Sequence, residues 1–138
     1  MKYYAVIDTN VVISSMFKKG SVPGKIMDYA INGEIVPLLN DEILNEYEEV
    51  LLRNEFGFSE SDVSELLNHI KVKALFLDRT PAPEEFIDRD DIVFYEIALT
   101  ARRSTDAYLV TGNKKHFPIK PFVVTPREML DIMESGSL

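Results

Sequence analysis

The sequence contains no cysteine, which removes disulfide frameworks and thiolate metal sites from consideration. Its two histidines, His69 and His116, are far apart in the chain, and neither has a second histidine at metal-ligand spacing. Both read as ordinary packed or surface side chains. No apolar run approaches the roughly 18 residues of a membrane span. Basic residues are in deficit, with 15 Lys and Arg against 23 Asp and Glu and a formal net charge of −8. That balance argues against binding nucleic acid through the overall field of the protein. A local grip on phosphates through bound cations stays open. The first residues, "MKYYAVIDTN", meet an aspartate before an apolar signal-peptide core could form. Together these absences lead us to expect an intracellular, cytoplasmic protein.

What is present reads as one globular domain over residues 1–138, 46% hydrophobic and 28% charged. "KYYAVI" is a short buried strand ending at Asp8. "VVISSMFKK" predicts a short helix with Asn10 as N-cap. "SVPGKIMDYAING" predicts a second, with Pro23 in its first turn and Gly33 after its end. "EIVPLL" reads as a strand that Pro37 either weakens or places at a sheet edge. In "NDEILNEYEEVLLRNEFG", Ile43, Leu44, Tyr47, Val50 and Leu51 form one apolar helical face, with Asn40 as cap and Gly57 as terminator. "SESDVSELLNHIKV" predicts a helix capped by Ser59 or Ser61. "KALFLD" predicts a strand, and "RTPAPEEFIDRD" an acidic, proline-bearing loop. "DIVFYEIALTARRS" is helical, "DAYLVTG" and "PFVVT" are strands, and "PREMLDIME" is a helix with Thr125 as N-cap and Pro126 at its first position. Strands alternating with helices give an α/β layer structure around a largely parallel sheet of about five strands.

In open parallel sheets, ligands bind beyond the carboxyl ends of the strands. Asp8, the pair Asp90–Asp91 and Asn113 fall there by sequence. Each has a plainer role available: a turn between Asp8 and Asn10, or an N-cap at Asp90 or Asp91. Glu46 and Glu48 flank opposite edges of the same helical stripe, and spacing alone does not choose between them. Converging carboxylates without histidine or cysteine make an oxygen-ligand site suited to Mg²⁺ or Mn²⁺ rather than zinc. Paired hard cations can clamp the attacking and leaving oxygens of a phosphodiester. Lys114 and Lys115 follow a strand at the same rim, as phosphate contacts or as a solvated turn. Phe117 beside them is a base-stacking candidate or a core anchor.

Four segments in order, "VIDTNVVISS", "LNDEILNEYEEVLLR", "DRDDIVFYEIALTA" and "DAYLVTGNKKHFP" followed by "VVTPREML", resemble the PIN domain family, and within it the VapC-like group of toxin–antitoxin ribonucleases. The resemblance implies a three-layer α/β/α fold and a metal-dependent endoribonuclease that cleaves single-stranded RNA with Mg²⁺ or Mn²⁺. It implies an antitoxin protein as partner and a homodimer. It places Asp8, Glu46 rather than Glu48, and Asp91 at three acidic catalytic and metal-holding positions, with Asn10, Asp90 and Thr111 as accessory residues. The fourth position departs from the pattern: "TGN" puts Asn113 where many members carry aspartate. An amide oxygen can ligate a cation but supplies no negative charge.

Two other readings compete. A non-catalytic PIN-fold module binding RNA or protein would explain Asn113, but not the retention of Asp8, Glu46 and Asp91 together. An aspartyl phosphotransferase using Asp8 as nucleophile lacks the second acid two residues on, where Asn10 stands. Asn113→Asp is expected to tighten Mn²⁺ binding in the absence of RNA, by on the order of 1 kcal/mol or more in a site shielded from water. Mn²⁺ titrations of the two proteins check this, and coincident curves would reduce Asn113 to a turn residue.

Overall fold

The computed structural model describes residues 2–136. In chain order it runs β1 (Tyr3–Ile7), α1 (Thr9–Phe17), α2 (Val22–Asn32), β2 (Ile35–Leu39), α3 (Asp41–Leu51), α4 (Glu60–Lys73), β3 (Leu75–Phe76), α5 (Ile92–Arg102), β4 (Ala107–Val110), β5 (Val123–Val124) and α6 (Pro126–Ser135). The five strands pair in parallel in the order β3-β2-β1-β4-β5. With helices covering the sheet, this is the three-layer α/β/α arrangement. Ala5, Val6, Ile7, Leu109 and Val110 are almost fully buried, because a parallel sheet covered on both faces requires continuous apolar strands.

Local signals explain most boundaries. Ser21 accepts from Gly24 N to cap α2, and Gly33 ends it at φ 87°, in the left-handed region that favours glycine. Asn40 caps α3 through Ile43 N, and Ser59 caps α4 through Asp62 N. Thr125 and Glu128 form a reciprocal capping box on α6, with Pro126 in its first turn. Gly57 does not end α3 as the sequence predicts. The helix stops at Leu51, and Gly57 closes a separate 3₁₀ turn over Asn54–Phe56 at φ 70°.

Pro37 lies inside the sheet rather than at its edge, because β2 pairs with β1 on one side and β3 on the other. Carbonyls alternate along a parallel strand: that of Glu34 accepts from Tyr3 N, and that of Leu39 accepts from Leu77 N. Pro37, two residues before Leu39, therefore turns its missing N–H toward the β3 side. Pairing there begins only at Leu38, so no ladder bond is lost. The predicted "KALFLD" strand shrinks to two half-exposed residues, an outer strand that pairs only with Leu38 and Leu39 at the end of β2.

The acidic loop between β3 and α5 is fastened to α5. Glu96, 9% exposed, accepts from Arg79 Nε at 2.6 Å and from Ala82 N at 2.7 Å. Arg79 also donates to Glu42 of α3 at 2.9 Å. Thr100 Oγ1 donates to the Asp78 carbonyl, Tyr95 OH to Glu84, and Phe86 packs edge-on against Tyr95 and Phe117. Phe117 is thus the core anchor. Glu96→Ala leaves Ala82 N–H without its acceptor and Arg79 with one carboxylate, and is expected to cost about 2–4 kcal/mol. Glu96→Gln, which can still accept from Ala82 N, should cost less. Urea unfolding of the three proteins checks the order.

Candidate functional site

β1 and β4 are neighbours, yet the chain passes from β1 to β2 on the other side. The crevice between their carboxyl ends is the switch point of the sheet. Asp8 lies at one lip and Thr111 at the other. Asp8 N–H extends the ladder to the Val110 carbonyl at 2.9 Å, and its own carbonyl accepts from Val11 N at 3.0 Å. It is therefore the N-cap of α1 by backbone, without a capping side-chain bond. This corrects the expectation that Asn10 caps the helix: Asn10 is already helical, and its Oδ1 accepts from Gly112 N at 3.4 Å. The Asp8 carboxylate is 7% exposed, and its Oδ2 accepts from Thr111 Oγ1 at 2.7 Å. Thr111 Oγ1 accepts in turn from Asn113 N at 3.0 Å. Burial raises the Asp8 pKa, opposed by the hydrogen bond from Thr111.

Helix α3 separates the two glutamates that spacing could not. Glu46 is half-buried and Glu48 is exposed. Glu46 Oε2 accepts from Thr9 Oγ1, and the next residue, Tyr47, donates its hydroxyl to the Ile7 carbonyl. These two bonds lock α3 onto the residues on either side of Asp8. Burial raises the Glu46 pKa; the Thr9 bond lowers it, and the charges of Asp8, Asp90 and Asp91 raise it again. The role of Thr9 was not read from the sequence, although its hydroxyl stands between Asp8 and Asn10.

Asp91 ends a 3₁₀ turn over Arg89–Asp91 and precedes α5. Neither Asp90 nor Asp91 caps with its side chain. Asp88 does so, through Asp90 N at 2.9 Å, which frees the Asp91 carboxylate. Its pKa is pushed up to about 6 by burial and then by the charges of Asp8 and Asp88, with His116 opposing. His116 Nδ1 lies 3.4 Å from Asp91 Oδ2, and Asn113 Nδ2 lies 3.2 Å from both ring nitrogens. His116 is thus no incidental surface histidine. It stands against two residues of the cluster, on a 3₁₀ turn (Lys114–His116) that periodicity did not show. Lys114 pairs with Glu128 at 3.0 Å, and Lys115 is exposed.

Among the described residues, no three Asp, Glu or His side chains close around one point as a ready-made metal cage. Mg²⁺ does not require one, since it keeps several waters and takes one or two carboxylates plus substrate phosphate. Asp91 Oδ2 is buried, with the His116 ring at 3.4 Å and no well-aligned hydrogen bond among the described residues, beside a second buried carboxylate whose charge it feels. A buried carboxylate oxygen with one long contact to His116, in an oxygen-rich set, fits a hard divalent cation. A cavity of about 290 Å³ adjoins Asn10 and Asn113, whereas a larger one of about 610 Å³ between α1, α2 and α4 touches none of the candidate residues.

The raised Asp91 pKa has a sign. Below the ordinary value of 3.8 the group is protonated in folded and unfolded chains alike. As pH rises through about 6 the folded state must hold a charge it disfavours, and stability is lost. Metal-free protein should therefore gain stability as pH falls from about 7 toward 5. Asp91→Asn should melt above the wild type at neutral pH by a few degrees, with the gap closing toward pH 4. Melting curves in chelator across that range test this, and a pH-independent gap would contradict it.

A family model described as "PIN domain" matches residues 4–115. An uncharacterized protein of Methanocaldococcus jannaschii is 27% identical over 150 aligned residues, covering 97% of this chain and 94% of that protein. No solved structure gives a significant match. The chain belongs to the PIN domain family, whose members are in general nucleases.

Proposed function

We propose that this protein is a Mg²⁺- or Mn²⁺-dependent endoribonuclease cleaving phosphodiesters of single-stranded RNA in the cytoplasm, as the toxin of a toxin–antitoxin pair. In this reading an antitoxin protein covers the site, and the enzyme acts as a homodimer. The observation that carries the reading is the set of three carboxylates, Asp8, Glu46 and Asp91, near one sheet rim with mutually raised proton affinities, one of them buried against His116.

Asp8 and Asp91 would hold the cation, with Asn113 and Glu46 completing or orienting its shell. When bound, the ion supplies Lewis-acid stabilisation of charge developing on the phosphodiester oxygens. The protein's own part is orientation. Thr111 orients the Asp8 carboxylate through its Oδ2, and Thr9 orients Glu46 through its Oε2. The raised pKa of Glu46 makes it a better proton acceptor near neutrality than a free glutamate. His116 holds the Asn113 amide nitrogen, so that the amide oxygen is the atom left to face a cation. Lys115, which is exposed, and Lys114, which also pairs with Glu128, add positive charge after β4 in a chain of net charge −8.

The test is cleavage of a mixed single-stranded RNA pool with Mg²⁺, Mn²⁺ or chelator. Chelator should abolish cleavage, and Asp8→Asn and Asp91→Asn should each lower the rate about 100-fold or more. Glu46→Gln should be more damaging than Glu48→Gln, because the two changes alter charge and helix propensity alike and only Glu46 is tied to the site. Cleavage by Asp8→Asn at the wild-type rate would refute the assignment.

A further inference from the structure

The cavity of about 290 Å³ beside the carboxylates is formed where four segments meet: the first turns of α1, α2 and α6, and the loop after β4. Asn10, Ser14, Pro23, Gly112, Asn113 and Pro126 line it, and none of its lining side chains carries a charge. That is unusual on a chain that is 28% charged. Asn10 and Asn113 also adjoin the carboxylate cluster through Gly112 and Thr111, so the cleft lies beside the proposed reaction centre.

Asn10 and Ser14 are one helical turn apart on α1 and face the same cleft. Asn10 spends its Oδ1 on Gly112 N, and neither its Nδ2 nor the Ser14 hydroxyl has a hydrogen-bond partner among the described residues. The cleft thus offers a free donor, a free hydroxyl and two proline faces, without a cation. A phosphate would find no counter-charge here. A neutral, flat, hydrogen-bonding guest matches both the chemistry and the size, which is at the lower end for a small-molecule site.

We propose that this cleft receives one unpaired nucleoside of the RNA strand, adjacent to the phosphate held at Asp8 and Asp91, with Ser14 and Asn10 as the residues that read it. The proposal rests on the ribonuclease reading above and deepens it. A base reaches such a cleft only when unstacked and unpaired, which is how single strands are commonly recognised. Ser14 is the specificity-determining position, because it is exposed, outside the carboxylate cluster and free to vary without disturbing the core.

Ser14→Phe, which fills the cleft, should raise KM for a short single-stranded RNA about tenfold or more while kcat changes less. Ser14→Ala should raise KM about threefold to tenfold, the value of one hydrogen bond. Mn²⁺ titrations of both variants without RNA should match the wild type. In an Asp8→Asn background, RNA carrying one 2-aminopurine should brighten on binding, because the base leaves its stacked neighbours for a cleft with no aromatic lining. Adding Ser14→Phe should abolish the brightening, and a duplex of the same sequence should not brighten. If the wild type cleaves RNA but Ser14→Phe has an unchanged KM, the cleft proposal is overturned and the ribonuclease reading stands. Loss of Mn²⁺ binding in Ser14→Phe would also overturn it, since the residue would then act on the carboxylates. If the wild type cleaves no RNA with either metal, the ribonuclease reading fails, and the cleft proposal fails with it.

Discussion

A carboxylate buried at the end of the central strand is the constraint around which this site is arranged. Asp8 is nearly closed off from water, and an unpaired charge in such a place is costly. The chain answers with one hydroxyl, Thr111, aimed from the neighbouring strand, and with the start of α1 directly after it. Thr111 then orders the loop carrying Asn113, and Thr9 ties α1 to Glu46 on α3. Each bond that stabilises Asp8 or its flanks also aims another side chain toward the same rim.

The acidic loop before α5 performs the complementary task. Arg79, Ala82 N and Thr80 N all bind Glu96 or its backbone, which fixes the path of a proline-bearing segment that has no strand or helix of its own. That path delivers Asp91 to the charge of Asp8. Burial first, and then the charges of Asp8 and Asp88, raise the proton affinity of Asp91 there.

Much of this was legible in the residues. The alternation of strand and helix, the caps at Asn40 and Thr125, the choice of Ser59 or Ser61 as the cap of α4, and the positions of Asp8, Asp91 and Asn113 past strand ends or before a helix all follow from local pattern. The apolar stripe of α3 was legible too, but the choice of Glu46 over Glu48 came from resemblance, and the structure supplies its physical reason in burial and the Thr9 contact. Asn10 as a cap and Gly57 as a terminator were plausible local signals that lost to the backbone: Asp8 already occupied the cap, and α3 ended a turn and a half before Gly57. His116 read as an ordinary packed or surface histidine because its contact with Asp91 joins residues 25 apart in sequence.

The sequence by itself determined the elements, their order and which acids lie near strand ends, because helix caps and apolar periodicity act over a few residues and need no partner. Tertiary structure decided which hydroxyl serves which carboxylate, that His116 joins Asn113 and Asp91, that Pro37 sits harmlessly within the sheet, and that a neutral cleft opens beside the acids. Each of these depends on distances between segments tens of residues apart. Only the closing of the sheet, with β1 placed between β2 and β4, brings those segments within reach of a hydrogen bond or of one another's charge.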